Sequence, residues 1–386
     1  MSLLPPDFTL LQVTPDLNAG GVEQTTVDIA RAVTAAGGRA LVASAGGRLE
    51  DALEDAGGEL VRLKVGSKSP FHMLANGFAL KDLIEREGVD VVHVRSRAPA
   101  FAAFWAARRT ATPSVATYHG VYKAGSKLKR GYNAVMTKGD LVIANSEFTR
   151  DHLIAEHGVD PAKVVTIPRG VDLHRFDPAA VSERRVRDMR KSWGLNPGDP
   201  RQAVLCAGRL TRWKGQVLLV EAAALLEEGG DDGFVLVFTG DEQGRHGYRH
   251  EIESAIVETG VQARVVGHCD DMPAAYLAAD IVCAPSLEPE AFGRTAVEPQ
   301  LMGKVVLAAD HGAARETIID GETGWLVEPG EVSVWADALR AALALSPAQR
   351  EMMGARGQAR ARELYSVETM AEATLAVYRR LLAEQA

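Results

Sequence analysis

Short apolar runs alternate with longer amphipathic runs along most of this chain, and that alternation constrains its fold more than any other feature. Such a pattern predicts parallel β-sheets whose strands are joined by crossover helices. The first series of candidate strands consists of Thr9–Val13, Ala40–Ser44, Leu60–Leu63, Val89–Val94, Ser114–Tyr118, Leu141–Ala144 and Val164–Ile167. The second series consists of Ala203–Ala207, Phe234–Thr239, Arg264–Val266, Asp280–Ala284, Val305–Ala308 and Trp325–Val327. The chain is therefore predicted to be an α/β protein.

A charged segment separates the two series of strands. Residues 173–201 are interrupted by prolines and break the alternation. A chain of 386 residues also exceeds the usual size of a single core. We therefore predict two Rossmann-like domains, over residues 1–180 and 181–365, followed by a C-terminal helix over residues 366–386 that packs back on the first domain. One large sheet is the competing architecture, which the connector disfavours.

The charge and composition of the chain limit its partners. Its 43 Lys and Arg residues against 51 Asp and Glu residues give a net charge of −8, and this argues against nucleic-acid binding, which needs a basic footprint. No apolar run reaches the ~20 residues of a membrane span, and the first residues lack the features of a signal peptide. Three cysteines without a C-x-x-C pair support neither a disulfide framework nor a zinc site. We expect a cytoplasmic protein.

Two glutamates mark the most informative stretch, Leu287–Gln300 (LEPEAFGRTAVEPQ). Glu290 follows the candidate strand Asp280–Ala284, and Glu298 lies in a helical pattern. Glu290 is therefore predicted at the carboxyl end of a strand, which is where open parallel sheets bind ligands. A solvated helix face with a capping acid is the alternative interpretation.

Backbone groups beside the first glutamate also suit a ligand. Phe292 and Gly293 would present N–H groups at a helix N-terminus, where phosphate or sugar oxygens bind well. Gly20 and Gly21 stand between the first strand and an amphipathic run, so they would let a ligand approach the backbone. Structural turns also use paired glycines, and the absence of G-x-G-x-x-G disfavours a dinucleotide site.

A glycine-bounded basic loop opens the second domain. Arg209 and Lys214 follow its first strand (AGRLTRWKG) and could grip a pyrophosphate, Arg209 through its planar fork and Lys214 as a point charge. A solvated basic turn is the alternative. Gly267 ends a later strand and would place backbone groups beside a nucleotide base. His119 ends the strand Ser114–Tyr118, although a lone histidine is more often structural.

Together these elements resemble the GT4-type retaining glycosyltransferases of GT-B fold, also called glycosyl transferases group 1. The matching elements are the E-x7-E spacing of Glu290 and Glu298, the loop Gly20-Gly21-Val22-Glu23, His119-Gly120, the G-R-x-x-x-x-K-G element at 208–215, and the segments 310–316 and 320–329. They occur in the family's order over nearly the whole chain. The resemblance implies two Rossmann-like domains that face each other across a cleft, with the acceptor bound by the first and the nucleotide sugar by the second.

The resemblance also implies roles for individual residues. Glu290 and His119 would contact the donor sugar, Glu298 the ribose, and Arg209 with Lys214 the diphosphate. The two glycines at 20 and 21 would lie against the donor phosphates. Two positions depart from the family, since this chain has Arg169 where Asn is common and Ala313 where a second glycine is frequent.

The chemistry that the resemblance implies is transfer of a hexose-type sugar, with retention, from a nucleoside-diphosphate sugar to a glycan or lipid-linked acceptor. Cell-envelope biosynthesis, such as assembly of lipopolysaccharide or a glycolipid, is the expected setting. No D-x-D motif is present, so we expect a metal-independent enzyme without a cofactor in which Arg209 and Lys214 stabilise the leaving group. The alternatives are a sugar-nucleotide epimerase of the same fold and a non-catalytic sugar-nucleotide-binding protein.

A basic segment follows His119 directly. Residues 121–133 (VYKAGSKLKRGYN) carry Lys123, Lys127, Lys129 and Arg130 and no acid. If the segment is helical, Lys123, Lys127 and Arg130 share one face. We expect this patch to meet a phosphorylated acceptor or the anionic inner face of the cytoplasmic membrane, with a solvated surface helix as the alternative.

Overall fold

A computed structural model of the protein describes residues 4–18, 20–122, 125–242, 244 and 246–384. The chain divides into two compact units, Met1–Gly170 with Val367–Ala386, and Val171–Ser366. This division falls before the boundary that the sequence suggested at 180/181. The reason is that Val171, Phe176 and Val181 are buried in a core of the second unit, so the chain joins that unit earlier than the charged connector indicates.

Each unit is built on a parallel β-sheet. The strands are β1 Thr9–Val13, β2 Arg39–Ser44, β3 Glu59–Arg62, β4 Val91–Val94, β5 Ser114–Tyr118, β6 Leu141–Ala144, β7 Val164–Thr166, β8 Gln202–Ala207, β9 Phe234–Thr239, β10 Ala263–Gly267, β11 Ile281–Ala284, β12 Val305–Ala309 and β13 Trp325–Val327. Every candidate strand named above overlaps one of them. Strands such as β6 and β11 are apolar and buried along their whole length, as expected for parallel strands that are covered on both faces.

The helices run between the strands and after the last one. They are α1 Gly21–Ala35, α2 Glu50–Asp55, α3 Pro70–Glu87, α4 Arg97–Thr110, α5 Lys127–Asn133, α6 Glu147–His157, α7 Glu183–Ser192, α8 Gln216–Glu228, α9 His246–Thr259, α10 Met272–Ala278, α11 Arg294–Leu301, α12 Ala314–Thr317, α13 Val332–Leu343, α14 Pro347–Leu364 and α15 Val367–Ala383. The N-cap side chains of Ser126, Ser146 and Ser346 accept hydrogen bonds from the first turns of α5, α6 and α14, which sets where these helices begin.

Strand order shows where each sheet can bind a ligand. Within the described residues the first sheet has the order β3-β2-β1-β4-β5-β6-β7 and the second the order β10-β9-β8-β11-β12-β13. The direction of strand addition reverses between β1 and β4 in the first sheet and between β8 and β11 in the second. The carboxyl ends of the strands on either side of such a reversal form a crevice in doubly wound sheets.

The last helix belongs to the first unit. Tyr378 on α15 is fully buried, and its hydroxyl lies 2.6 Å from Nδ1 of His93 on β4. Apolar residues of α15, including Leu375 and Leu381, pack in the same core as α1 residues such as Ile29 and Val33. The C-terminal helix thus covers a face of the first sheet rather than extending the second unit.

Candidate active site

The loops after β8 and β11 meet at the point where the second sheet reverses its order. Their strands pair in parallel through Val204–Ile281 and Leu205–Val282, and the amide of Leu287 donates to the carbonyl oxygen of Trp213 over 2.6 Å. Gly215 has φ +74°, and a Cβ there would lie 1.9 Å from the carbonyl oxygen of Pro285. Only glycine fits this contact, so the basic loop and the glutamate loop have fixed relative positions.

Lys214 and Glu290 form an ion pair in this crevice. Nζ of Lys214 lies 2.7 Å from Oε1 of Glu290, and Oγ of Ser286 donates to the same oxygen over 2.5 Å. The side chains are only 11% and 18% exposed. Burial acts to raise the pKa of Glu290, but the charge of Lys214, the two hydrogen bonds and the nearby His311 outweigh it and hold the pKa below its usual value. Glu290 is therefore ionised at neutral pH.

The second cation of the basic loop is arranged differently. Arg209 is exposed, and its side chain makes no hydrogen bond or ion pair with another described residue. Lys214 also lies under the ring of Trp213, 4.6 Å from its centroid. The structure thus places one cation of the predicted pair in a buried ion pair and leaves the other facing solvent, where a phosphate can reach it.

Glu298 is engaged within the protein. It is buried on α11, where Oε2 accepts from the hydroxyl of Tyr276 at 3.0 Å and Oε1 accepts from Nε of Arg294 at 2.7 Å. Burial, followed by the charge of Glu298, holds the pKa of Tyr276 well above its usual value. The structure therefore shows a role for Glu298 in fixing α11, and its contact with a ribose stays a prediction.

Backbone groups at the start of α11 match the sequence prediction. Gly293 is the N-cap of α11 in a left-handed conformation, with φ 78° and ψ 59°, and no side chain caps the first turn. Phe292 is buried, and its ring packs on Tyr365 with centroids 5.5 Å apart. The side chain of Phe292 thus belongs to the core, and a contact of its backbone with a ligand stays a prediction. Gly267 ends β10, and its carbonyl oxygen accepts from Thr239 Oγ1 and from the amide of Gly240.

The structure adds His311, which sequence reasoning missed as a site residue. It follows β12 and lines a recess of about 260 Å³, open mouth included, together with Ser286, Glu290, Gly293 and Thr295. Both ring nitrogens are buried without a hydrogen-bond partner among the described residues. The available signal was its place at the carboxyl end of a strand, which is the same signal that pointed to His119.

His119 occupies the equivalent position in the first unit, after β5. Both of its ring nitrogens are also buried without a partner in the described part of the chain. Burial, followed by the charges of Arg169 and Arg95, holds the pKa of His119 well below 6.5, so the imidazole is neutral at pH 7. Arg169, which replaces the family's asparagine, donates to the carbonyl oxygen of His119 over 3.2 Å, and Asn145 donates to the same oxygen.

The paired glycines begin α1 at the reversal point of the first sheet. Gly20 is exposed with extended backbone angles, φ 164° and ψ 168°, which any residue can adopt. A Cβ there would meet only the flexible end of Glu23. The backbone therefore does not require glycine at this position, and what the glycine provides is open access to the start of the helix.

The predicted basic face is not a single helical face. The helix α5 begins at Lys127, whereas the prediction required it to include Lys123, which lies outside the described residues. Arg130 forms an ion pair with Glu156, in which Nε lies 3.1 Å from Oε1, and Nε also donates a hydrogen bond to the carbonyl oxygen of Glu156. Lys127 and Lys129 are exposed, so a partner can contact these two cations of the segment.

Two features of the described residues bear on cofactors and membranes. No group of three or more His, Cys, Asp or Glu side chains within those ranges is arranged to hold a metal ion. None of the helices that the structure describes combines the length and the apolar character needed to cross a membrane.

Comparisons with known proteins agree with this architecture. Residues 19–175 match the family model described as Glycosyltransferase Family 4, and residues 187–360 match Glycosyl transferases group 1. A glycosyltransferase from Rickettsia africae is 31% identical, with 97% of this chain and 99% of that chain covered and a TM-score of 0.88. HepE from Anabaena, solved in complex with UDP and glucose, is 23% identical with a TM-score of 0.83 over 97% of this chain and all of its own, and shares the fold.

A curated relative matches over a shorter region. The D-inositol 3-phosphate glycosyltransferase of Mycobacterium tuberculosis is 34% identical over 260 residues, which cover 66% of this chain and 51% of that protein. The chain thus spans about half the length of the curated relatives it matches.

Proposed function

This chain belongs to the GT4-type family of GT-B glycosyltransferases, and we propose that it transfers a hexose-type sugar from a nucleoside-diphosphate sugar to a glycan or lipid-linked acceptor. The observation that carries the proposal is the ion pair of Lys214 and Glu290 at the reversal point of the second sheet. It places a cation and a carboxylate, both largely buried, where open α/β sheets bind ligands.

The second unit supplies what departure of a diphosphate requires. Negative charge develops on the leaving phosphate while the anomeric carbon becomes cationic, and fixed positive charges lower the barrier by stabilising that phosphate. Lys214 can donate further N–H bonds beyond the one to Glu290, Arg209 is open to solvent, and the uncapped first turn of α11 presents amides. We assign Glu290 to positioning of the donor sugar, because Oε1 is already bonded to Lys214 and Ser286.

The test of this function is donor turnover. UDP-glucose, UDP-galactose, UDP-N-acetylglucosamine and GDP-mannose are each incubated with the protein and a pool of glycan, glycolipid and sugar-phosphate acceptors, and released nucleoside diphosphate is measured. We expect turnover of one donor, an unchanged rate in excess EDTA, and a product with the anomeric configuration of the donor by NMR.

Interconversion of the donor sugar without an acceptor would identify an epimerase. Binding without turnover of any donor would identify a sugar-nucleotide-binding protein, and an absolute requirement for Mg²⁺ or Mn²⁺ would reject the metal-independent mechanism.

We further propose that the acceptor is presented at an anionic membrane surface, on an aromatic and basic face of the first unit. Phe71, Leu74 and Phe78 are exposed at i, i+3 and i+7 on α3, and Phe71 is 85% exposed. The ring of Phe78 lies 5.0 Å from that of Trp105 on α4, and Phe101 on α4 is also exposed. Several large apolar side chains exposed on two neighbouring helices are typical of an interaction surface.

The charge around this aromatic and basic face favours an anionic partner. Residues 91–139 contain no Asp or Glu, although the whole chain has a net charge of −8. Arg108, Arg109 and Lys138 line a shallow depression together with Phe101 and Trp105. Lys127 and Lys129 are exposed on α5, the helix that contributes Gly131 to this depression. A second copy of the chain would bring like charges together, whereas an anionic membrane gains about 1 kcal/mol for each nearby Lys or Arg.

Sedimentation with vesicles tests the membrane proposal separately from catalysis. We expect binding to vesicles of phosphatidylcholine and phosphatidylglycerol, weaker binding to phosphatidylcholine alone, and release as salt rises. The variant Phe71→Ser, Phe78→Ser should reduce binding, as should Lys127→Glu, Lys129→Glu. Val257→Ser removes an equally exposed apolar residue of the second unit, 82% exposed on α9, and should change nothing. Equal binding to both vesicle types would reject the charge selection, and concentration-dependent dimerisation through this face would indicate a second copy instead.

A further inference from the structure

His311 is a half-buried histidine at the candidate site, and the motifs of the sequence provide no role for it. It lines the recess beside Glu290, and both ring nitrogens lack a hydrogen-bond partner among the described residues. Buried polar atoms are almost always paired in folded proteins because leaving them unpaired costs free energy. An imidazole in this state, at the mouth of a ligand crevice, marks a place where a ligand supplies the missing partner.

The turn that carries His311 is fixed against the backbone of Glu290. Gly312 has φ +58°, and a Cβ there would lie 2.6 Å from the carbonyl oxygen of Glu290 and 2.8 Å from its nitrogen. The amide of Ala313 donates to that carbonyl oxygen over 2.9 Å. An ion pair of 2.7 Å between Arg315 and Asp310 closes the turn on its outer side. The imidazole and the carboxylate therefore keep their relative positions without a ligand.

The recess between His311 and Glu290 has polar residues on one side and residues with short side chains on the other. Its remaining walls include the alanines Ala284, Ala296, Ala308, Ala309 and Ala314, so the recess is small and apolar away from its polar residues. Oε1 of Glu290 already accepts from Lys214 and Ser286, and no described residue donates to its Oε2. The recess thus offers one carboxylate acceptor and one imidazole.

We infer that His311 binds a hydroxyl group of the donor's sugar beside the one assigned to Glu290, and that His311 is the residue that determines which sugar is accepted. A carboxylate only accepts hydrogen bonds, whereas a histidine has at least one N–H donor in either protonation state, and a sugar hydroxyl can serve both. A sugar that lacks the hydroxyl facing His311 leaves the buried imidazole unpaired, and such sites reject the incomplete substrate strongly. This inference rests on the proposed function, because it names what part of the proposed donor is recognised.

Calorimetric titration separates the sugar from the rest of the donor. UDP and UDP-glucose, and GDP and GDP-mannose, are titrated into the wild type and into His311→Ala, His311→Gln and His250→Ala. We expect His311→Ala to bind the sugar nucleotide about tenfold more weakly than the wild type does, because one hydrogen bond to a buried group usually contributes on that scale. The affinity for the nucleoside diphosphate should be unchanged. His311→Gln, which keeps a donor, should recover part of the loss. His250, exposed on α9, is the matched control.

Each remaining outcome decides a different point. Equal weakening of nucleoside diphosphate and sugar nucleotide in His311→Ala would show a structural role and overturn the inference. Failure of the wild type to bind either sugar nucleotide would count against the proposed donor itself. Deoxy analogues of the bound sugar complete the test as a double-mutant cycle, because the effect of His311→Ala should vanish for one ring position. An effect that persists at every position would show that the imidazole contacts no hydroxyl.

Discussion

The carboxyl edges of the two sheets hold their candidate residues in opposite ways. In the second unit, Lys214 and Glu290 bond each other and Ser286 before any ligand arrives. In the first unit, His119 has no partner for either ring nitrogen within the described residues, and the two glycines after β1, Gly20 and Gly21, have no side chains to offer. The ion pair of the second unit is charge-compensated by the protein, whereas His119, like His311 beside that ion pair, has ring nitrogens without a partner in the described part of the chain.

The two edges should respond differently when a side chain is removed by mutation. Where charged groups stabilise each other, removal of one leaves the other partly buried and unpaired, so function and stability fall together. Where a buried polar group has no partner, its removal takes one contact away from the ligand. It does not lower the stability of the folded protein, because the atom that is lost was unsatisfied. Paired measurements of rate and melting temperature should therefore separate the two edges.

Lys214→Ala should have the largest effect. It removes the buried cation that we assign to the leaving diphosphate, and loss of one such electrostatic contact typically costs on the order of 10²–10³-fold in rate. It also leaves the carboxylate of Glu290 without its cation, which should lower stability by about 1–3 kcal/mol, less than for a fully buried pair. The measurements are donor turnover and thermal unfolding of the same preparation.

Lys191→Ala is the control for this variant, because Lys191 is an exposed lysine of the same unit and should leave both quantities unchanged. A Lys214→Ala protein with normal stability would mean that Glu290 finds another partner and that the charge-compensated description of this edge is wrong. Normal turnover would remove Lys214 from the mechanism.

His119→Ala should lower the rate by about 10–10²-fold, the scale of one lost hydrogen bond to the donor, and leave the melting temperature unchanged or slightly raised, because the lost ring nitrogens have no partner in the described part of the folded protein. His93 provides the contrast within the same unit. Its Nδ1 lies 2.6 Å from the hydroxyl of Tyr378 and its Nε2 2.7 Å from Oγ1 of Thr117. His93→Ala should therefore lower stability. A fall in melting temperature for His119→Ala as large as that for His93→Ala would erase the proposed difference between the edges.

The sequence predicted the second edge better than the first, for a physical reason. The loops around Arg209, Lys214, Glu290 and Gly293 are short and follow strands directly, so strand positions alone place them. The basic segment after His119 was predicted as one helical face, but the helix starts only at Lys127, and Arg130 is held by Glu156, a residue distant in sequence. Periodicity reports which residues share a face of a helix and carries no information on such partners.

His311 and Tyr276 illustrate the same limit. His311 is defined as a candidate by the absence of a partner, and Tyr276 by its bond to Glu298. Both are properties of packing between elements that are separate in the chain. The early division at Gly170 was also missed, because burial of Phe176 beside Tyr276 depends on the second core and leaves no charge or proline signal.

Glu298→Gln tests whether its role is confined to the protein. We expect a loss of about 1–2 kcal/mol in stability, since bonds to Arg294 and Tyr276 weaken, and a rise of several-fold in the donor KM if the ribose contact implied by the family exists. Tyr276→Phe is the matched variant, because it removes only the bond to Oε2. Equal donor KM values in the two variants would restrict Glu298 to holding α11.

The smallest expected effect is on the pH dependence of the rate near neutrality. Because the pKa of His119 is held well below 6.5 and that of Glu290 is below 4.5, neither group changes charge between pH 6.5 and 8. We therefore expect these two groups together to change kcat/KM for the donor by less than about twofold over that range. An apparent pKa close to 6.5 that disappears in His119→Asn would show that the imidazole titrates normally.

In acid the same shifts predict a loss of stability with a defined sign. Glu290 has a lower pKa in the folded than in the unfolded protein, so its contribution is fully present above about pH 4.5 and is lost as pH falls through the lowered value. The variant Glu290→Gln lacks the titrating carboxyl group. Its free energy of unfolding should therefore fall less steeply below pH 4.5 than that of the wild type. Since Lys214 is the partner that lowers this pKa, Lys214→Ala should flatten the acid limb in the same way. An acid limb unchanged in both variants would mean that the ion pair at the second edge does not compensate the charge of Glu290.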